Sequence, residues 1–382
     1  MIYLDHNATT PLDPAVRRAM AEAMETVVGN PSSQHALGRR ARDAVEAARD
    51  QVAALLGASP EEVVFCSGGT EGDHLGIRGA ARAVRARDGR RVVVASPLEH
   101  PAVRGALEAL VDEGFAVRWL PVTADGELDL EGAAGILDGA VALVSCALAN
   151  HELGNRYPIA ELAALAHRAG ALLHCDAVQA VGRLPVDVAE LGVDLLTASA
   201  HKLHGPKGVG ALYLRRGAPW EPLLRGGGQE RGRRPGTENV LGIVGFGVAC
   251  AVAGEELAVA APRIAALRDR LEAAALQIPG ARRFGGGPRL PGTSCLGFAG
   301  APGQLVAVSL DLEDVAVSTG AACTSGRLEP SPVLAALGVG GEEAATAVRF
   351  SLGRGNTADE LDQVVRLLPS LIARVRGAFA GP

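Results

Sequence analysis

The chain has 382 residues, 48% of them hydrophobic, enough for two domains or one large α/β unit with a substantial core. Its formal charge of −6 comes from interspersed acids and bases and aromatics make up only 3%, which argues against a surface dedicated to nucleic acid or membrane. The opening "MIYLDHNATTPLDP" has neither a basic region nor an apolar run, so no signal peptide is visible.

In chain order, "EEVVFC" (61–66) predicts a strand, followed by a helix from Thr70 to about Arg87. "RVVVAS" (91–96), "FAVRWL" (115–120), "VALVSC" (141–146), "ALLHCD" (171–176) and "VDLLTAS" (193–199) predict further short strands. Helical patterns such as "AVRGALEALVDEG" and "IAELAALAHRAG" separate them. This rhythm predicts βαβ units and a mainly parallel sheet covered on both faces. "GVGALYL" (208–214) adds one more strand, antiparallel to the rest. The run from Val240 to Gly254 is too short to span a bilayer, is flanked by Glu238 and Glu255, and reads as a buried helix.

After a helical stretch near 237–275 the texture changes. Short strands "GTSCLGF" and "AVRFSLG" alternate with helices up to a last one near 358–378. The expected organisation is an N-terminal segment 1–12 beside the active site or a partner subunit, a large domain 13–254 and a smaller α+β domain 255–382. The six cysteines, at 66, 146, 175, 250, 295 and 323, form no CxxC pair, and three sit in strand-like runs, so a reducing cytoplasm is expected. Nine histidines show no HExxH or paired ligand spacing, so no metal site is expected.

Ligands of such sheets bind where loops leave the carboxyl ends of parallel strands. At "FCSGGTEGDH" (65–74) a strand ends, glycines and a threonine follow, and a helix opens, a junction whose backbone N–H groups suit a phosphate. Taken alone it reads equally as a tight turn with Thr70 as N-cap, and it matches no nucleotide fingerprint. Asp176 ends "LLHCD" and is either an N-cap or the partner of a protonated ring nitrogen. Lys202 follows the strand ending at Ser199 and precedes the "GPKG" turn; a lysine held there with few water contacts has the lowered pKa that Schiff-base formation needs. Phosphate turn, strand-end Asp and strand-end Lys together suggest pyridoxal 5′-phosphate. His100 in "PLEHPAV" could stack on its ring or be a polar residue at a helix start.

These residues resemble the cysteine desulfurases of the class V aminotransferase branch of fold-type I pyridoxal-phosphate enzymes. The resemblance runs through "YLDHNATTP", "GNPSSQHALG", "SGGTEGD", "EHPAV", "NHELG", "HCDAVQAVG", "SAHKLHGPKGVGALY", "GGGQERGRRPGTEN", "STGAACTS" and "VRFSLGR", nearly the whole chain. It implies a large domain with a mainly parallel seven-stranded sheet between helices and a small α+β domain. It also implies Lys202 as the Schiff-base lysine, Asp176 on the pyridinium, Gln179 at the ring hydroxyl, and His100 as stacking ring and proton shuttle. Gly69, Thr70, Ser199 and His201 would hold the phosphate. Thr237 would reach the phosphate of the other subunit, making a homodimer. Arg349 would clamp the substrate carboxylate, with Asn150 also at the substrate and His151 at the cofactor.

Cys323, in a run of small residues, resembles the thiol that takes sulfur from L-cysteine as a persulfide. Its loop has the longer form that goes with delivery to scaffold or carrier proteins for iron–sulfur clusters, thiolated tRNA or thio-cofactors. Two positions depart from the family pattern: histidines stand at 74 and 151 where asparagines are usual, and histidine can become charged. Two other functions stay open from sequence: a related lyase or aminotransferase without sulfur relay (selenocysteine lyase included), and a sulfur-relay scaffold whose cofactor site has decayed.

Overall fold

The computed structural model describes residues 1–319 and 331–379. It begins with β1 (Ile2–Tyr3), α1 (Pro14–Thr26) and α2 (Ala36–Leu56). Strands and helices then alternate through β2 (Val63–Cys66), α3 (Gly69–Asp88), β3 (Val92–Ala95), α4 (Pro101–Asp112), β4 (Ala116–Trp119), α5 (Leu130–Ile136) and β5 (Val141–Ser145). They continue as α6 (Ile159–Arg168), β6 (Leu172–Asp176), α7 (Val188–Leu191), β7 (Leu195–Ser199) and β8 (Gly210–Leu214).

Strands β2 to β8 form one seven-stranded sheet in the order β2-β8-β7-β6-β5-β3-β4. β8 is antiparallel to both neighbours and the other strand pairs are parallel. Every residue of β5, β6 and β7 is buried, as expected of strands covered on both faces. Alternate residues feed two cores. Val94, Val144, Leu173 and Leu196 pack with α2 residues such as Val45 and Val52. Val93, Leu143, Leu172 and Leu195 pack with α3 and α4 residues such as Ile77, Val103 and Leu107. The first predicted strand is shorter than expected, because Pro60–Glu62 closes a 3₁₀ turn before β2.

The chain then enters α8 (Val240–Ala275), followed by β9 (Ala281–Phe284), β10 (Thr293–Phe298), α9 (Gly303–Asp311), β11 (Val315–Ala316), α10 (Pro332–Ala336), α11 (Gly341–Ala344), β12 (Ala347–Ser351) and α12 (Ala358–Phe379). β9, β10 and β12 form an antiparallel sheet in the order β12-β10-β9. A third core gathers Leu267, Leu271, Leu296, Phe298, Phe350 and Leu368. The predicted boundary at residue 255 falls inside α8. Upstream, Ile243, Phe246 and Cys250 enter the large core; downstream, Ile264, Leu267 and Leu271 enter the small one. By length and composition α8 could cross a membrane, yet it packs along α1, α2, α12 and β10 as an internal helix joining the two cores.

The N-terminal segment has a connection that the sequence does not announce. β1 pairs in parallel with β11, Asp5 bridges Ser351, and Leu4 is buried in the small core. Residues 5–10 are thereby drawn across the carboxyl ends of β6 and β7.

Candidate active site

Lys202 sits in a 3₁₀ turn (Ala200–Lys202) directly after β7, beside the end of β6 at Asp176. Its Nζ donates to the carbonyls of Asn7 and of Ala8, the latter at 2.9 Å. Burial lowers the amine from its ordinary value to about 7, the charges of Arg183 and Arg349 add to this, and Asp176 and Asp5 oppose it. An amine so held is uncharged in a large fraction of molecules near neutral pH. Asp176 is buried and its Oδ1 accepts from Val178 N at 2.9 Å, so it closes a local turn while lining the cavity. Burial raises the carboxyl of Asp176, and burial plus the charge of Asp176 raises that of neighbouring Asp73 further.

Lys202 and Asp176 line a cavity of about 290 Å³ with Gly69, Thr70, His100 and Gln179. His151 and His201 complete this part of the wall. The sequence-predicted cluster thus converges from the ends of β2, β3, β5, β6 and β7.

One end of the cavity is built for an anion. Gly68, at φ +152°, is the N-cap of α3 and offers no side-chain cap, so the first N–H groups of a 20-residue helix stay open. A Cβ on Gly210 would stand 2.8 Å from Gly68 Cα, so glycine there lets β8 approach the turn. Among the described residues Ser199 Oγ is buried without a hydrogen-bond partner, and it faces the same hollow as Thr70, His201 and Lys207. His201 uses Nδ1 on Thr9 Oγ1 at 3.2 Å, which leaves Nε2 for the hollow. Thr70, expected as a possible N-cap, lies inside α3 instead. An orphaned hydroxyl beside an open helix start marks a missing acceptor. Ser199→Ala is accordingly expected to weaken cofactor binding about tenfold, the loss of one charge-assisted hydrogen bond, without destabilising the cofactor-free protein. Cofactor titration and thermal unfolding check the two halves.

His100 satisfies both of its sequence readings at once. It is the N-cap of α4, with Nδ1 accepting from Ala102 N at 3.1 Å, and it also lines the cavity. Burial holds the imidazole down at about 3, so it is neutral with its proton on Nε2. The ring can stack and donate, but its basic nitrogen is engaged. His151 meets His100 edge to face at 5.1 Å, and its Nε2 lies 3.5 Å from Glu152 Oε1.

Asn150 is also corrected. Its Nδ2 donates to Leu98 O at 2.9 Å and its Oδ1 accepts from Glu152 N and Leu153 N, both at 2.8 Å, so it shapes the loop rather than touching substrate. Arg349, on β12, donates to Asp5 Oδ1 at 2.8 Å and to His151 O at 3.0 Å, while its buried Nε has no partner among the described residues. A substrate carboxylate would meet a guanidinium that already carries Asp5. Thr237 is exposed and does not line this chain's own cavity. His74 is half-buried outside the cavity, its imidazole lowered by burial and by Arg78. Cys323 lies outside the described residues. On either side of 320–330, Ser318 pairs with Arg349 across a bridge and Ser331 Oγ donates to Glu152 Oε2 at 2.6 Å, beside the cavity.

A family model described as aminotransferase class-V matches residues 2–364. The chain belongs to this family. Relatives include a cysteine desulfurase of Cereibacter sphaeroides, 47% identical over 381 residues and covering 98% of this chain and 96% of that one. Another is the cysteine desulfurase NifS of Azotobacter vinelandii, 44% identical, covering 98% and 93%. A solved NifS-like protein superposes with a TM-score of 0.91 at 36% identity, covering 98% of this chain and 99% of that one. A structure described as SspA in complex with cysteine gives 0.81 at 30% identity, covering 94% and 100%.

Class-V family members work with pyridoxal 5′-phosphate, and the cavity fits that group. The orphaned Ser199 hydroxyl and open helix start suit the phosphate, buried Asp176 suits the ring nitrogen, and the low-pKa Lys202 amine suits the aldehyde. Sequence reasoning did not single out Asn7, Asp73 or Arg183. Asn7 lay inside a recognised motif, whereas Arg183, in "VGRLPVD", looks like any loop arginine.

Proposed function

We propose that this class-V family member is a pyridoxal-phosphate-dependent cysteine desulfurase that converts L-cysteine to L-alanine and holds the removed sulfur as a persulfide on Cys323. The observation that carries this reading is a cavity in which Lys202, Asp176, Gln179 and an anion cradle converge, in a chain 44–47% identical over 98% of its length to proteins named cysteine desulfurase. The bound cofactor supplies an electron sink for a carbanion at the substrate Cα. Lys202, uncharged, takes the Cα proton and returns a proton as alanine forms. Asp176 would lie at the pyridine nitrogen and favour its protonated form. His100 would stack on the ring, and Arg349 would hold the substrate carboxylate with a guanidinium it shares with Asp5.

The thiol of Cys323 forms a bond to the substrate Sγ as the Cβ–Sγ bond breaks. The electron pair and a proton end on Cβ, giving alanine and one persulfide with no outside oxidant. We further propose that the persulfide passes to an acceptor protein for iron–sulfur cluster, thio-cofactor or tRNA assembly, and that the enzyme works as a homodimer in the cytoplasm. Exposed Thr237 is free to serve a second copy. The cysteines at 66, 146, 175, 250 and 295 are all unpaired thiols, which supports a reducing compartment.

The test is incubation of purified protein with L-cysteine and a thiol reductant, with alanine and sulfide measured together. Equimolar products are expected; pyruvate and ammonia, or no alanine, would turn the reading towards a different lyase. The pH dependence follows from the Lys202 amine. Only its uncharged form adds to the cofactor aldehyde, so uptake by cofactor-free protein slows about tenfold per pH unit below its pKa and levels off above it. With the amine at about 7, the break is expected near neutrality, well below the ordinary 10.5. Stopped-flow absorbance across pH 5.5–9 reads it.

A further inference from the structure

Arg183 follows the turn after β6 and makes four hydrogen bonds, all to carbonyl or amide oxygens. NH1 donates to Asn7 Oδ1 at 2.5 Å and Gln179 Oε1 at 3.0 Å, and NH2 donates to His6 O at 2.7 Å and Lys202 O at 3.1 Å. We propose that Arg183 is the positioning residue of the cofactor site: one guanidinium that locks the N-terminal segment, the Gln179 amide and the Lys202 backbone into a single frame. The inference rests on the reading that Lys202 and Gln179 hold the cofactor.

Three features carry it. The first is the set of partners. An enclosed arginine normally meets a carboxylate, but among the described residues none forms an ion pair with Arg183. Its positive charge is left facing the Lys202 amine, and it is the largest cause after burial of that amine's lowered pKa.

The second feature is the orientation of Gln179. Flipping that amide would press NH2 against the guanidinium, which has only donors to offer. Oε1 is thereby fixed on Arg183, and Nε2 donates to Asn7 O at 3.0 Å with its second hydrogen left for a ring hydroxyl. The third is the shared carbonyl. Asn7 O accepts from both Gln179 Nε2 and Lys202 Nζ, and Arg183 holds Asn7 by its side chain and His6 by its backbone. Remove Arg183 and the two cofactor-facing groups lose their common anchor.

The other groups facing the Lys202 amine are accounted for. Arg349 adds positive charge, while Asp176 and Asp5 oppose it. The rings of His100 and His201 are held neutral, lowered by burial to about 3 and about 4. Arg183 itself keeps its proton, lowered only to about 10 by burial and by Arg349.

The experiment uses full-length protein freed of cofactor. Lys202 acetylation by acetic anhydride is followed against pH by mass spectrometry, and pyridoxal phosphate affinity is measured separately by titration. In Arg183→Met the amine midpoint is expected to rise by about one pH unit and cofactor affinity to fall about tenfold. Arg183→Lys keeps the charge but cannot span four oxygens, so its midpoint stays with the wild type while affinity falls. A methionine variant with midpoint and affinity both at wild-type values overturns the proposal. Should that variant not fold, unchanged cofactor affinity in Arg183→Lys overturns it, and weakened affinity with an unmoved midpoint upholds it. The amine titration needs no bound cofactor, so its failure is distinct from failure of the cofactor reading, which wild-type uptake decides.

Discussion

Replacing Lys202 by alanine is expected to cut alanine formation from L-cysteine by about 10⁴-fold or more. Two roles are lost in one step. The covalent anchor of the cofactor disappears, and so does a cavity-lining amine whose ionisation burial lowers to about 7. His100 is a poor substitute base, because its Nδ1 is engaged by Ala102 N and burial holds its imidazole down at about 3. His201 is likewise low, at about 4. Cofactor should still occupy the site, more weakly, because Ser199, the start of α3 and Asp176 remain. Alanine measured by amino-acid analysis, beside cofactor content after alkaline release, checks both halves. A variant with turnover within tenfold of wild type would place the proton transfer elsewhere.

Changing Cys323 to serine is expected to abolish alanine and sulfide formation, by about 10³-fold or more, with cofactor content unaltered. The described thiols offer no replacement. Cys146 and Cys175 are fully buried and their ionisation is pushed far up, and burial raises Cys66 to about 12. Cys250 and Cys295 are also buried and raised. A thiol that does not ionise at neutral pH is a poor nucleophile, and none of these five lines the cavity. Mass spectrometry after brief exposure to L-cysteine should find one added sulfur on wild-type protein and none on Cys323→Ser. Alanine formation at the wild-type rate by the serine variant would favour a lyase without a protein persulfide.

Much of the fold is readable in the sequence because its signals are local. Runs such as "VVVA" and "VALV" are continuously apolar, so they announce strands buried on both faces, and their spacing announces the helices between them. The antiparallel β8 could be anticipated because no crossover helix separates it from β7, only a loop with turns. The parallel β1–β11 pair could not: two-residue strands more than 300 residues apart carry no pattern that names their partner. The boundary near 255 is of the same kind. A composition change marks it, but the helix runs through, since its upstream half packs into the large core and its downstream half into the small one.

The sequence alone determined the chemistry on offer: a strand-end lysine, a strand-end aspartate, an open glycine turn and a thiol in a small-residue run, each readable because backbone position dictates what such a residue can do. Tertiary structure decided how those groups are tuned. That Asn150 holds a loop, that Arg349 carries Asp5 and that Arg183 binds four oxygens around Lys202 all depend on contacts between distant segments. Burial and the nearest charges set a pKa, and both are properties of the packed neighbourhood, which no local stretch of sequence contains.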